Sequence, residues 1–257
     1  MRDRPLRPEF KDYFSEESAA YAEYRPRYPE GLFAWLADVA PACTVAWDAG
    51  TGTGQAAVAL AAHFDKVIAT DASATQLENA PRHPRVEYRQ AVAGHSMLAA
   101  NSVDLATVAQ ALHWFDRGAF YVEAAKVLVS RGVLAVWCYG VHRIDPRVDE
   151  VIEYLYDDLL GAWWTADRRL VEEGYRTIEF PFQELTPPGF ELTAEWDLHR
   201  LVGYISTWSA LRRCRRETGR NMLEEVFPRL AEAWGDPARL RLIRWPLALR
   251  VGRVADA

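Results

Sequence analysis

The chain has 257 residues, half of them apolar or aromatic, enough to bury a core in a single α/β domain with an elaboration. Its formal net charge of -6 excludes a general binder of nucleic acid or anionic membrane, which needs an excess of Lys and Arg. Cys43, Cys138 and Cys214 are far apart and lack Cys-x-x-Cys spacing, which excludes a disulfide framework and a cysteine zinc site and suits a reducing cytosol. The charged start Met1-Arg2-Asp3-Arg4-Pro5 reads as no signal peptide, and no stretch reaches the roughly 18 apolar residues of a membrane span. The expectation is a soluble, cytoplasmic protein with no metal, nucleic-acid or membrane partner and no obligate protein partner.

In chain order, Ser15–Tyr24 reads as a helix closed by Arg25-Pro26, and a second helix runs over Glu30–Val39, stopped by Pro41. These form an N-terminal helical cap, residues 1–40. Short apolar strands then alternate with helices: strand Thr44–Trp47, helix Gln55–His63, strand Lys66–Thr70, and a helix Ser73–Ala80 opened by a Ser73/Gln76 capping pair. Strands Val86–Arg89, Val103–Ala109 and Val133–Cys138 follow, the last two linked by a helix over Arg117–Val129. This β/α alternation over residues 43–140 predicts a Rossmann-like, mostly parallel sheet with helices on both faces. After Gly140 the rhythm breaks. Asp145-Pro146 opens a helix with Val148, Val151, Ile152, Leu155 and Leu159 on one face, and residues 145–189 read as an aromatic-rich insertion. Residues 190–257 complete the sheet: a sixth strand over Phe190–His199, helices over Val202–Arg216 and Met222–Trp234, and a last strand Leu247–Val251 with Pro246 near its start.

Chemistry concentrates at Asp48-Ala49-Gly50-Thr51-Gly52-Thr53-Gly54, between the first strand and its helix. Glycines let a ligand approach the backbone closely. The dinucleotide fingerprint wants G-x-G-x-x-G, whereas Gln55 occupies the last position here, and no Walker Lys follows. Asp48 would repel a pyrophosphate and attract an ammonium. Asp71, ending the second strand, stands where a carboxylate reaches ribose hydroxyls. The plainer reading of both acids is capping of neighbouring helices. S-adenosylmethionine, which has no phosphate and carries an α-amino group, suits the set.

These segments resemble the class I S-adenosylmethionine-dependent methyltransferases, and within them the trans-aconitate methyltransferase-like (type 11) group. Asp48–Gly54 is similar to motif I and Ala69–Ser73 to motif II. Gln110-Ala111-Leu112-His113-Trp114-Phe115-Asp116 is similar to the fourth-strand motif and Val129–Cys138 to the fifth-strand segment. Tyr21–Pro29 and Thr207-Trp208-Ser209 match further elements of the group. The resemblance implies a seven-stranded sheet with an antiparallel last strand. It also implies a cofactor site in which Gly50, Thr51 and Gly52 hold the methionine part by backbone and Asp71 holds the ribose. Ala72 would lie beside the adenine, with Val92 of the Ala91–Ala93 segment along its edge. Gln110 would line the methionine part, and Arg25 would pair with the cofactor carboxylate under Tyr21 or Tyr24. Gly94 departs from the pattern, since an acidic residue is common there.

Methyl transfer needs alignment and exclusion of water, and a carboxylate nucleophile needs no base. His113 is the candidate base for other acceptors; a structural histidine beside Trp114 is the alternative. Trp114, Trp137, Tyr139 and Trp208 are candidate pocket aromatics, or core. Arg212, Arg213, Arg215, Arg216 and Arg220 form either a solvated surface or, in part, a site for a small carboxylic acid. The function expected is methylation of a small molecule, with O-methylation of a carboxylic acid favoured by the resemblance. The alternatives are a cofactor-binding protein without catalysis and a nicotinamide-dependent oxidoreductase.

Overall fold

The computed structural model describes residues 24–254; Tyr21 and most of the first expected helix lie outside them. The elements are α1 (Glu30–Val39), β1 (Val45–Ala49), α2 (Gln55–Leu60), β2 (Lys66–Asp71), α3 (Ala74–Glu78), β3 (Val86–Gln90), β4 (Val103–Ala109), α4 (Arg117–Val127) and β5 (Leu128–Tyr139). They continue with α5 (Pro146–Glu153), α6 (Arg168–Glu172), β6 (Gln183–Leu185), β7 (Glu191–Trp196), α7 (Leu198–Ser206), α8 (Ser209–Thr218), α9 (Met222–Trp234) and β8 (Arg241–Arg253). No helix among the described residues is long and apolar enough to cross a membrane.

The sheet runs β3-β2-β1-β4-β5-β8-β6, with β7 paired to β8 as an eighth strand. β3 to β5 are parallel, as the helical crossovers between them require. β8 runs antiparallel to β5 over Leu247–Arg253 and antiparallel to β7 over Arg241–Pro246. It is therefore longer than the expected Leu247–Val251. Pro246 sits where β8 exchanges partners, so its missing N–H interrupts neither ladder for long. The expected sixth strand, Phe190–His199, is shorter as β7. Asp197 ends it by capping α7, its carboxylate accepting the Arg200 N–H at 2.8 Å. The edge strand β6 falls inside the expected insertion.

One core face packs α1 and α2 on the sheet through Leu32, Leu36, Leu60, Val67 and Trp137. The other packs α4 and the 170–178 segment through Trp47, Phe120, Val127, Val136 and Tyr175. A third cluster joins α5, α7 and α9 to the free half of β8 through Ile152, Leu201, Tyr204, Leu230 and Trp245. The single helix expected over Val202–Arg216 is two. Thr207 and Trp208 break it, Trp208 being extended (φ -67°, ψ 129°) as it enters α8. The capping pair at α3 forms in one direction: the Ser73 hydroxyl accepts the Gln76 N–H, while the Ser73 N–H donates to Asp71 Oδ1 at 2.9 Å.

Candidate active site

The carboxyl ends of β1, β2 and β4 open into a cleft of about 3230 Å³, several times the ~300–1,000 Å³ of a single small-molecule pocket. At its floor the chain leaves β1 through glycines with positive φ: Gly50 (67°), Gly52 (56°) and Gly54 (83°). Such values cost most L-residues roughly 1–2 kcal/mol each. The turn is pinned to β2, since the N–H groups of Gly50 and Thr51 both donate to the Thr70 carbonyl, at 2.8 and 3.0 Å. A Cβ on Gly50 would come within 2.8 Å of the Ala111 Cβ, and one on Gly54 within 2.4 Å of the Tyr88 hydroxyl. At Gly52 the nearest atom would be 3.9 Å away. Gly50 and Gly54 thus serve close packing, and Gly52 leaves the backbone open to the cleft.

The two strand-end acids have different surroundings. Asp71 lines the cleft; its Oδ2 accepts the Gly52 N–H at 2.8 Å and its Oδ1 the Ser73 N–H at 2.9 Å. Two amides therefore hold the carboxylate between the glycine loop and α3. Asp48 is fully buried and is not in the cleft lining. Its Oδ2 accepts the Thr51 hydroxyl at 2.6 Å and its Oδ1 the Thr107 hydroxyl at 2.8 Å. Burial pushes its pKa up to about 6 against these hydroxyls, which favour the anion. The direct contact with a ligand ammonium expected of Asp48 is thereby corrected: Asp48 buttresses the loop from behind.

Gln110 offers what Asp48 does not. It ends β4 at φ 55°, a strained value for a residue other than glycine, and its N–H donates to the Trp137 carbonyl at 2.9 Å. Its Nε2 donates to the Tyr139 carbonyl at 2.9 Å, which fixes the amide orientation. Its Oε1 is then a buried acceptor with no partner among the described residues, in the cleft wall. Above it Arg25 donates from Nη1 to the Tyr139 hydroxyl at 3.2 Å and lies over the Tyr204 ring at 5.6 Å. A short tight turn, Val92 to His95, forms the opposite wall and leaves Val92 exposed toward the cleft. Gly94 is required here, because a Cβ would meet the Ala119 Cβ at 2.8 Å; an acidic side chain at this position would collide with α4.

His113 stands on a 3-10 turn after β4, nearly buried. Its Nδ1 is 2.8 Å from the Tyr175 hydroxyl, and its ring packs on Trp114 with centroids 4.7 Å apart. Burial first, and then the positive charges of Arg168 and Arg117, push its pKa down to about 3. A base of that strength is a poor match for work near neutral pH. The expectation of a base is not supported by these surroundings. The far wall is aromatic: Trp164 and Trp208 pack at 5.9 Å, and Arg168 lies over the Trp164 ring at 5.0 Å. At the rim of this wall α8 brings Arg212, Arg213, Arg215 and Arg216 into the lining.

Residues 47–136 match the model of a methyltransferase domain. A Dictyostelium discoideum protein named as a methyltransferase is 32% identical over 234 residues, which is 90% of this chain and 89% of that one. The chain belongs to the class I S-adenosylmethionine-dependent methyltransferases. A solved structure from Anaeromyxobacter dehalogenans, described as a type II methyltransferase, superposes with a TM-score of 0.85 at 45% identity, covering 91% of this chain and 99% of that one. The methyltransferase pgmE of Aspergillus terreus is 27% identical over 54% of this chain, which spans about half (49%) of its length.

Within this methyltransferase, the residues singled out from the sequence fall into three groups. Thr51, Ala72, Tyr139 and Trp208 line the same cleft as Gly50, Asp71 and Gln110. Asp48 and Trp137 do not; Trp137 is fully buried and packs on Tyr28 at 5.5 Å and Phe33 at 6.2 Å. Arg220 is outside the lining and pairs with Glu225. Tyr21 lies outside the described residues. Sequence reasoning missed Arg168 and Tyr175 in the insertion. The aromatic density there was a visible signal, but the chain segment that folds over the cleft could not be read from spacing.

Proposed function

We propose that the chain transfers a methyl group from S-adenosylmethionine to a small molecule, with an oxygen of a carboxylic acid as the acceptor. The cofactor fits on one observation above all: the unpartnered Oε1 of Gln110, a neutral acceptor suited to the α-ammonium, beside Arg25, which suits the α-carboxylate. Asp71 would hold the ribose, since a carboxylate oxygen that accepts one amide can accept a hydroxyl as well. Gly52 would let the methionine part lie on bare backbone, with Ala72 and Val92 against the adenine.

When bound, the cofactor supplies a methyl carbon already activated on a sulfonium. The chain aligns the acceptor and excludes water. An acidic acceptor is supported by the arginines: Arg215 and Arg216 are exposed on the cleft side of α8, while Arg213 is engaged with Glu217 at 3.0 Å. The large aromatic wall supports an acceptor with an apolar body rather than a macromolecule.

Calorimetric titration tests the donor half. S-adenosylhomocysteine should bind and NADH should not, and Asp71→Ala should lose S-adenosylhomocysteine binding; a wild type that binds neither would sink the reading. Radiolabelled methyl transfer to a panel of organic acids tests the other half. Turnover of every acidic acceptor unchanged in the double variant Arg215→Ala, Arg216→Ala would refute the arginine site.

A further inference from the structure

His113 carries a role other than the one its position first suggests. The Tyr175 side chain is fully buried, and among the described residues its hydroxyl has one hydrogen-bond partner, the His113 Nδ1 at 2.8 Å. Were the ring nitrogen the donor, the buried phenol proton would be left without an acceptor, so the hydroxyl gives its proton to the imidazole Nδ1. The ring proton is then on Nε2. That nitrogen has no partner among the described residues and is not a buried orphan, and His113 lines the cleft. The ring is clamped by Trp114 on one side and Tyr175 on the other.

We infer that Tyr175 holds His113 with its proton on Nε2, and that this N–H is a fixed hydrogen-bond donor to the accepting oxygen rather than a base. The inference rests on the methyl-transfer reading above. The groups that face the imidazole act together. Arg168 from α6 and Arg117 from α4 disfavour a second proton on it, and the Cys138 thiol of β5, beside Tyr175, is held neutral by burial.

The reaction balances without the histidine changing state. A lone pair of the acceptor oxygen forms the new O–C bond, the S–C bond breaks, and its electron pair stays on sulfur. A carboxylate has no proton to lose. A neutral alcohol would have to lose one, and His113 cannot take it, because Nδ1 is engaged and Nε2 is already protonated. The donor therefore selects acceptors that are anionic before transfer, and it steers one oxygen into line by a charge-assisted bond.

The test uses the full chain labelled with 15N-histidine, with the His113 resonances assigned by their loss in His113→Gln. Expected is a neutral ring with its proton on Nε2 from pH 5 to pH 8. In Tyr175→Phe the expected result is a mixture of tautomers and a titration that moves upward. A ring proton on Nδ1, or an imidazolium at pH 6, overturns the inference. Sodium benzoate, added to protein saturated with S-adenosylhomocysteine, should move the Nε2 resonance. His113→Gln, which keeps an N–H near that position, should bind benzoate within about threefold of wild type, and His113→Leu about tenfold or more weakly. An Nε2 resonance that benzoate does not move also overturns the donor role. Failure of S-adenosylhomocysteine to bind at all is a separate outcome: it refutes methyl transfer, and the donor role with it, while the tautomer is still read directly.

Discussion

Asp48→Asn is the substitution whose effect the structure specifies most fully. The wild-type carboxyl has an ordinary pKa of 3.8 and is pushed to about 6 in the fold by complete burial. An acid whose folded pKa is raised binds its proton more tightly in the native state. Its contribution to stability is fully present below about pH 3.8 and is lost as pH rises through about 6. Each pH unit is worth about 1.4 kcal/mol, so this interval removes about 3 kcal/mol. Asn has the same shape and no charge; one of the Thr51 and Thr107 hydroxyls can turn to accept from its NH2 while the other goes on donating to its Oδ1. The measurement is urea unfolding of both proteins from pH 4 to pH 8, without cofactor. The other titrating groups are common to the two and largely cancel in the difference. Wild type should lose about 2 kcal/mol relative to Asp48→Asn between pH 4 and pH 7, with the difference flat above that. A difference independent of pH, or one that moves in favour of wild type as pH rises, would refute the reasoning.

Gly50→Ala meets both a left-handed φ of 67° and an Ala111 Cβ at 2.8 Å; a loss of about 2–4 kcal/mol in denaturant unfolding is expected, against no measurable change in Gly140→Ala, where nothing lies within 4 Å. His142 is buried against Tyr204, Trp208 and Trp245, neither ring nitrogen has a partner among the described residues, and burial pushes its pKa down to about 3 from 6.5. A lowered histidine pKa supports the fold above pH 6.5 and withdraws that support as pH falls toward 3, so His142→Leu should melt higher than wild type at pH 7 and by a wider margin at pH 4.5; a lower melting temperature at pH 7 would count against it. A cationic ligand beside the loop should favour the ionised form of Asp48, so S-adenosylmethionine should gain affinity relative to S-adenosylhomocysteine as pH rises through about 6. Competition calorimetry at pH 5 and pH 7.5 reads this, and the gain should vanish in Asp48→Asn.

Much of the fold was legible because its signals are local. The spans of α1, β4 and α9 follow directly from apolar runs bounded by Pro29, Gln110 and Gly235. What escaped is set by partners distant in sequence. β6 is three residues at a sheet edge, too short to alternate, and exists because β8 offers it an open ladder. The first half of β8 does alternate, with Ile243 and Trp245 buried between exposed neighbours, but Pro246 read as the start of a strand rather than as a change of partner. The break at Thr207-Trp208 contains neither glycine nor proline. It follows from tertiary packing, with Trp208 set against Trp164 and Tyr156.

At the site, spacing identified which residues gather at the strand ends, but not the direction each one faces. Asp48 and Asp71 are both acids at the carboxyl ends of neighbouring strands, and a sequence offers no way to see that one is beneath the loop and the other beside it. The difference has a chemical consequence. A carboxylate in direct contact with both an ammonium and a sulfonium would hold the methyl donor by charge, which gives the ground state as much as the transition state. With the charge one layer down and the neutral amide oxygen of Gln110 in the cleft wall, an ammonium bound there would meet a directional acceptor, with Asp48 only as a diffuse negative field behind it. The strain at Gln110 belongs to the same arrangement. With its φ positive, its Nε2 donates to the Tyr139 carbonyl, and that anchoring leaves Oε1 as the acceptor without a partner among the described residues. A backbone that costs stability is the kind retained where it fixes the position of a functional group, here the amide of Gln110.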